Sequence, residues 1–223
     1  MRKPGLRGLA VATIAVGVFA GALVVPSRLH EGPRTIAASE HVPLACDGTR
    51  CEPGPAGLVD RVEGELLARI PQLDAFERRL LARTIVAEAE TARIDPLLVL
   101  ALIEVESSFD PAALSDRGAM GLMQLRGPTL RRELERAGLE ADYPNDPVAN
   151  VQAGVRYLRR LLDAFGREEL ALMAYNAGPN RILGYLREGG IPDRFHVYPR
   201  RVKAELRRLR AAAGEKPVIL AAR

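Results

Sequence analysis

The sequence predicts a mainly α-helical protein built around one buried central helix, with at most a small β-hairpin. Three observations carry this. Residues 94–109 read I-D-P-L-L-V-L-A-L-I-E-V-E-S-S-F, and from 97 to 105 nearly every side chain is apolar. A helix that is apolar all round is a core helix rather than a surface one. Its start is well marked, since Asp95 suits an N-cap and Pro96 the first helical position, where a missing N–H costs nothing. The second observation is that amphipathic helical patterns follow one another along the chain, and only residues 118–125 have room for a hairpin. The third is composition: 48% hydrophobic residues supply a core, while 4% aromatic residues and no Trp argue against a large all-β sandwich.

The elements follow in order. Arg2, Lys3 and Arg7 precede the apolar run 9–25, whose length is at the lower limit for a bilayer span and longer than the apolar region of most signal peptides. Ala20-Gly21-Ala22 offers a small-residue cleavage site, and no Cys follows the run for lipid attachment. Residues 1–25 are therefore read as a signal peptide or an N-terminal membrane anchor, the two remaining open. The positive flank places the rest outside the cytoplasm, in the periplasm or cell envelope. Residues 26–57 form a Pro/Gly-rich tether. Within it Cys46 and Cys51, the only cysteines, enclose D-G-T-R. In an exported chain a small-loop disulfide is expected, with two free thiols as the alternative. A metal site is not expected, because two thiols do not complete a coordination sphere.

From residue 58 the pattern is helical. Residues 58–70 are amphipathic and end before Pro71. Residues 74–92 place Phe76, Leu80, Leu81, Ile85 and Val86 on one side. The central helix follows, then a loop at 110–118 and a short polar helix at 129–137. Asp146-Pro147 repeats the cap signature and opens a helix to about residue 165, with Val151, Val155, Leu158, Leu161 and Leu162 inward. Shorter helices are expected at 168–175 and 179–186, and a last one, basic outside, at 198–210. The domain is thus 58–210, with a tail at 211–223. A net charge of +4 and a pI near 9.4 suit an anionic polymer as well as an ordinary solvated surface. No basic motif with interleaved aromatics is present, so no nucleic-acid partner is expected.

Three stretches can carry chemistry. At about 100° per residue Glu106 falls in the arc of Leu98, Val99, Leu102 and Val105, while Glu104 faces away. Apolar neighbours and the helix C-terminus both disfavour a carboxylate there and raise its pKa, as a general acid requires. The competing reading is a structural glutamate bonded to an arginine or to backbone. G-A-M-G-L-M-Q (118–124) has two glycines for a tight backbone and close ligand approach, and Gln124 offers a donor and an acceptor. A-Y-N-A-G-P (174–179) ends one helix and opens the next, with Asn176 and Gly178 suited to left-handed turn positions. The Tyr175 hydroxyl can reach a carboxyl group.

Together, E-S-S-F-D-P (106–111), G-A-M-G-L-M-Q and A-Y-N-A-G-P resemble the signatures of lytic transglycosylases of the soluble Slt type, in that family's order and rough spacing. The resemblance covers about 94–202 and includes D-P-V-A-N-V-Q-A-G-V-R-Y-L (146–158), similar to the family's scaffold helix. It implies a lysozyme-like fold and action on peptidoglycan glycan strands without a cofactor. It implies Glu106 as the single catalytic acid and base, and Ser115 as a serine facing the cleft. Gly121, Met123 and Gln124 match the glycan-contacting turn, Tyr175 the tyrosine that orients the glutamate, with Asn176 beside it. Tyr198, in Y-P-R-R-V, matches a late tyrosine. Two departures stand out: Pro199 in that last pattern, and Arg126-Gly127 where the family usually has Met-Pro.

The implied reaction follows from what is missing. Retaining glycosidases need two carboxylates about 5 Å apart and inverting ones about 6.5–9.5 Å apart. Glu104 faces away and Asp110 lies beyond the helix end. The expectation is that Glu106 protonates the oxygen leaving muramic-acid C1, then deprotonates the C6 hydroxyl, closing a 1,6-anhydro ring. Lysozyme-type hydrolysis and a non-catalytic wall-binding module are the alternatives.

Overall fold

The computed structural model describes residues 45–46, 51–52, 55–139 and 146–212. The chain divides into two units, Met1–His41 and Val42–Arg223, and only residues of the second are described. The run 9–25 therefore lies outside the described residues, among which no helix is long and apolar enough to cross a membrane. Strands β1 (Ala45–Cys46) and β2 (Cys51–Glu52) pair antiparallel with Cys46 opposite Cys51. The side chains of both cysteines, and with them the expected disulfide, lie outside the described residues.

After that strand pair the described residues form eight α-helices and one further small hairpin, the mainly α-helical architecture the sequence predicted. Helices α1 (Pro55–Arg69) and α2 (Ala75–Ala92) pack against each other, and α2 packs on through the core to α5 (Pro147–Phe165). Central helix α3 (Pro96–Ser107) lies along α8 (Val197–Ala212). Its residues from Leu97 to Ile103 are all buried. Strands β3 (Ala119–Met120) and β4 (Leu125–Arg126) form the hairpin, in register Ala119 to Arg126 and Met120 to Leu125. Helices α4 (Gly127–Ala137), α6 (Glu168–Ala177) and α7 (Pro179–Arg187) complete the domain, with a 3-10 turn at Asp193–His196 before α8.

Both Asp-Pro signatures act as the sequence indicates. Asp95 accepts from the Leu97 N–H and Asp146 from the Val148 N–H, each at 2.8 Å. That satisfies one of the four N–H groups a helix start leaves open. Asp74 caps α2 with a full capping box through Glu77. The inward face of α2 differs from expectation. Leu81, Ile85 and Val86 are buried, but Phe76 is 76% exposed and Leu80 44%. At 100° per residue Phe76 lies about 140° from Leu81 and about 180° from Ile85, so it cannot share their stripe.

Candidate active site

The core helix α3 delivers Glu106 to the edge of a cleft of about 440 Å³. Its last turn is held by an unusual exit. Ser107 donates its hydroxyl to the Ile103 and Leu122 carbonyls, at 3.1 and 2.9 Å. Ser108 and Phe109 then take left-handed conformations, φ 51° and 62°, which cost non-glycine residues energy and persist only where the surroundings enforce them. Here Phe109 is buried to 1% exposure, so its anchoring offsets the cost and fixes where α3 stops. The E-S-S-F run is therefore a helix terminator as well as the carrier of Glu106.

Glu106 accepts a hydrogen bond from the Tyr198 hydroxyl at 2.5 Å. Burial raises its pKa to about 7, against the opposing pull of that bond and of the Arg201 charge. The group therefore exchanges its proton near neutrality, the range useful for general acid–base work. Burial lifts the Tyr198 and Tyr175 hydroxyls well above the ordinary phenol range, and the Glu106 charge adds to both. Both tyrosines are therefore neutral donors. Among the described residues lining the cleft, Glu106 is the only acidic one. Glu104 accepts from the Arg69 guanidinium at 2.9 Å and takes no part in the cleft.

Opposite Glu106, the hairpin tip is tied down by three helices. Met123 N–H donates to the Asn150 side chain at 2.8 Å, and the Asn150 amide donates to the Met120 carbonyl at 2.9 Å. Asn150, from α5, is fully buried. The Tyr175 hydroxyl, from α6, donates to the Met123 carbonyl at 2.9 Å, and Ser107, from α3, holds the Leu122 carbonyl. Inside the tip, Gln124 is itself left-handed, φ 46°, and donates its side-chain amide to the Ala113 and Gly121 carbonyls. Almost every polar backbone group of a buried turn must find such a partner, and here the partners fix the cleft wall.

The sequence-predicted residues thus separate into groups. Glu106, Ser115, Gln124, Tyr175 and Asn176 line the cleft together. Ser115 also accepts from the Ala119 N–H at 3.0 Å, closing the mouth of the hairpin. The Met123 side chain is fully buried and packs on Gly154, whose missing Cβ leaves it room. Gly121 likewise sits behind the wall, where its missing Cβ makes space for Asn150. Asn176 is not a left-handed turn residue, since α6 runs on to Ala177 and only Gly178 has positive φ, 93°. The hydrogen bond to the glutamate expected of Tyr175 is made by Tyr198, which is buried behind Glu106 and does not line the cleft.

Two residues escaped sequence reading. Asn150 leaves a signal, a lone amide among inward valines and alanines of α5, although its partners are 27 and 30 positions away. Tyr157, also on α5, lines the cleft with its ring 5.4 Å from that of Tyr175. It gives no local sign of that role.

The transglycosylase SLT domain family profile matches residues 83–196. The chain is 39% identical over 98 residues to a transglycosylase of Enterobacteria phage PRD1, covering 44% of this chain and 35% of the phage protein. It is 33% identical over 103 residues to the membrane-bound lytic murein transglycosylase C of Photorhabdus laumondii, covering 40% of this chain and 29% of that one. The chain thus spans about a third of the length of these curated relatives. Its fold resembles the lytic transglycosylase Slt of Pseudomonas aeruginosa, with a TM-score of 0.56 at 22% identity over 75% of this chain and 31% of that one. The 70-kDa soluble lytic transglycosylase of Escherichia coli gives 0.55 at 23% identity, over 75% and 32%.

Proposed function

The chain belongs to the transglycosylase SLT domain family, and from that premise we propose that it is a lytic transglycosylase acting on peptidoglycan. It cleaves the β-1,4 bond between N-acetylmuramic acid and N-acetylglucosamine without water. The observation that carries this is Glu106: a largely buried carboxyl group whose pKa is pushed up to about 7, alone among the acidic described residues in its cleft. One such group can serve as acid and then as base.

The Glu106 carboxyl group donates its proton to the glycosidic oxygen as the C1–O bond breaks. The substrate's acetamido oxygen supports the positive charge that develops at C1. The resulting Glu106 carboxylate then takes the proton of the C6 hydroxyl on the same sugar as O6 bonds to C1. The new end is 1,6-anhydro-muramic acid, and the proton is back on Glu106. The Tyr198 hydroxyl supports the carboxylate stage, and holding O6 near C1 substitutes orientation for a second catalytic group. Ser115, Gln124, Tyr175 and Asn176 are the groups we assign to holding the glycan.

Digestion of purified wall glycan by the full chain, borohydride reduction and mass spectrometry test this. Expected fragments end in a non-reducible sugar lighter by one water than a hydrolytic end. Mainly reducible ends would establish lysozyme-type hydrolysis instead, and no fragments a wall-binding module. We place the protein in the cell envelope, in keeping with the positive n-region and apolar run 9–25, and propose a Cys46–Cys51 disulfide. Thiol labelling of envelope material without reductant is expected to leave both cysteines unlabelled; two reactive thiols would contradict it.

A further inference from the structure

The 3-10 turn Asp193–His196 leads straight into α8, and its side chains fasten it on two sides. Toward α7, the Phe195 ring lies 5.1 Å from that of Tyr185, and Arg194 donates to the Tyr185 hydroxyl at 2.9 Å. Toward α6, the His196 Nδ1 lies 2.8 Å from a Glu169 carboxylate oxygen. A carboxylate only accepts, so that ring nitrogen carries the proton. This bond is the largest influence holding the Glu169 pKa below the ordinary carboxylate range, and the Lys203 and Arg167 charges add to it. The two side chains are 30% and 32% exposed, and a pair so accessible to water adds little to stability. Its place in the chain is what sets it apart. Two residues beyond His196, Tyr198 gives its hydroxyl to Glu106 at 2.5 Å. Pro199 follows at once in the first turn of α8, where its ring fixes the backbone φ. A shift of the turn is therefore passed on to α8 rather than absorbed by backbone rotation there.

We propose that His196 and Glu169 are positioning residues for the reaction: their bond seats the start of α8 so that the Tyr198 hydroxyl meets Glu106. The inference deepens the reading of Glu106 as acid and base, and it rests on that reading. Neither residue lines the cleft, so both act through Tyr198 and not on the glycan. Glu169 stands in the first turn of α6, whose other end carries Tyr175 and Asn176 on the cleft wall. The pair thus ties together the two helices that bring tyrosines to either side of the carboxyl group. The groups that act on the Glu106 charge are Tyr198 and Arg201 from α8, and Tyr175 from α6. Tyr198 and Arg201 both hold the Glu106 pKa down against burial. They stand one turn apart on the same helix, so an α8 that starts out of place weakens both influences together. The Glu106 pKa then rises.

The test compares variants of the full chain on soluble peptidoglycan oligomers, recording kcat, KM and the pH–rate profile of each. His196→Ala and Glu169→Ala are each expected to lower kcat roughly tenfold with KM nearly unchanged, inside the ~10²-fold that misplacement far from the chemistry can cost. The alkaline limb is expected to move to higher pH, while the melting temperature changes little. His196→Asn puts an amide nitrogen where Nδ1 stood and is expected to restore both kcat and the limb. In a Tyr198→Phe background, His196→Ala is expected to change kcat far less than it does alone. Parent-like kcat and limb in both alanine variants overturn the proposal. A large loss of stability with an unmoved limb does so too, since it marks a merely structural pair. So does a full effect of His196→Ala in the Tyr198→Phe background. Titration of the Glu106 carboxyl by carbon NMR reads the same pKa shift without turnover. Failure of the transglycosylase reading shows separately, in reducible ends from the unmutated enzyme.

Discussion

Glu106 titrates near neutrality because opposed influences nearly balance. Burial favours the neutral acid, while the Tyr198 hydrogen bond and the Arg201 charge favour the carboxylate. An enzyme that needs the acid form loses kcat/KM as pH rises past about 7. Tyr198→Phe removes a bond that favours the charged form, so the Glu106 pKa rises further. The alkaline limb is expected to move to higher pH while kcat falls from lost orientation; a limb that stays or moves down in the pH–rate profile counts against this. The same titration bears on stability. The folded pKa, about 7, lies above the 4.5 of the free group, so the folded state holds more protons between those values. This group's contribution is full below about pH 4.5 and declines as pH rises to about 7, by on the order of 3 kcal/mol. Glu106→Gln carries no such penalty. Its melting temperature is expected to exceed the parent's at pH 8 and match it near pH 4, while its activity falls at least ~10²-fold. Thermal melts at the two pH values, beside product assays, check both.

At the scale of the element, the hairpin tip is the part of the site most sensitive to a single methyl group. A Cβ on Gly121 would lie 2.6 Å from the Asn150 side-chain nitrogen, at a backbone φ of 75°. Gly121→Ala therefore displaces Asn150 and strips partners from the Met123 N–H and the Met120 carbonyl, at a cost on the order of 3 kcal/mol. Gly118→Ala, at φ 73° with nothing within 4 Å, meets only the backbone penalty, about 1 kcal/mol. Melting curves of the two variants are expected to differ accordingly, and equal losses would show that Asn150 is not what Gly121 accommodates. The contrast also explains what was legible in the sequence. Helix α3 was legible because its signals, an Asp-Pro start and an all-round apolar run, lie within one element. The hairpin showed as two glycines. What closes it did not show, since Asn150, Tyr175 and Ser107 reach it from α5, α6 and α3. The same holds for Tyr198, 92 positions from the carboxylate it bonds. Spacing along one helix gives the direction of a side chain but not the element it will meet. Phe76 marks the opposite error, an apolar residue assigned to a face its angle cannot reach.

Across the whole domain, the placement of Tyr198 against Glu106 depends on how α8 lies along α3, and Arg69 ties both to α1. Its guanidinium reaches Glu104 on α3 at 2.9 Å, Glu205 on α8 at 3.5 Å and Glu65 on its own helix at 3.4 Å. It also lies 4.8 Å from the centre of the Phe109 ring, the residue that ends α3. The arginine side chain is 17% exposed, so water screens these contacts only in part. Burial raises the Glu205 pKa, and Glu104 and Glu65 push it the same way while Arg69 opposes them. Arg69→Ala leaves Glu65 and Glu104 converging on Glu205, which keeps only Arg208 as a cation partner. That is expected to cost about 1–3 kcal/mol near neutral pH, less than the roughly 3–5 kcal/mol of a fully buried pair because the Glu104 side chain stays 36% exposed. Protonation of Glu205, whose pKa is raised, relieves part of the repulsion, so the deficit relative to the parent is expected to shrink as pH falls. Glu104→Gln removes one of the three charges and keeps its shape. In the double variant Arg69→Ala with Glu104→Gln, the total loss is therefore expected to be smaller than the sum of the single losses. Glu104→Gln alone is expected to lower stability more than turnover, since that carboxylate does not line the cleft. Denaturant melts of the four proteins at pH 7 and pH 4 decide the matter. Strict additivity at both values would mean that the carboxylates do not feel one another, and that Arg69 joins the three helices through packing on Phe109 alone.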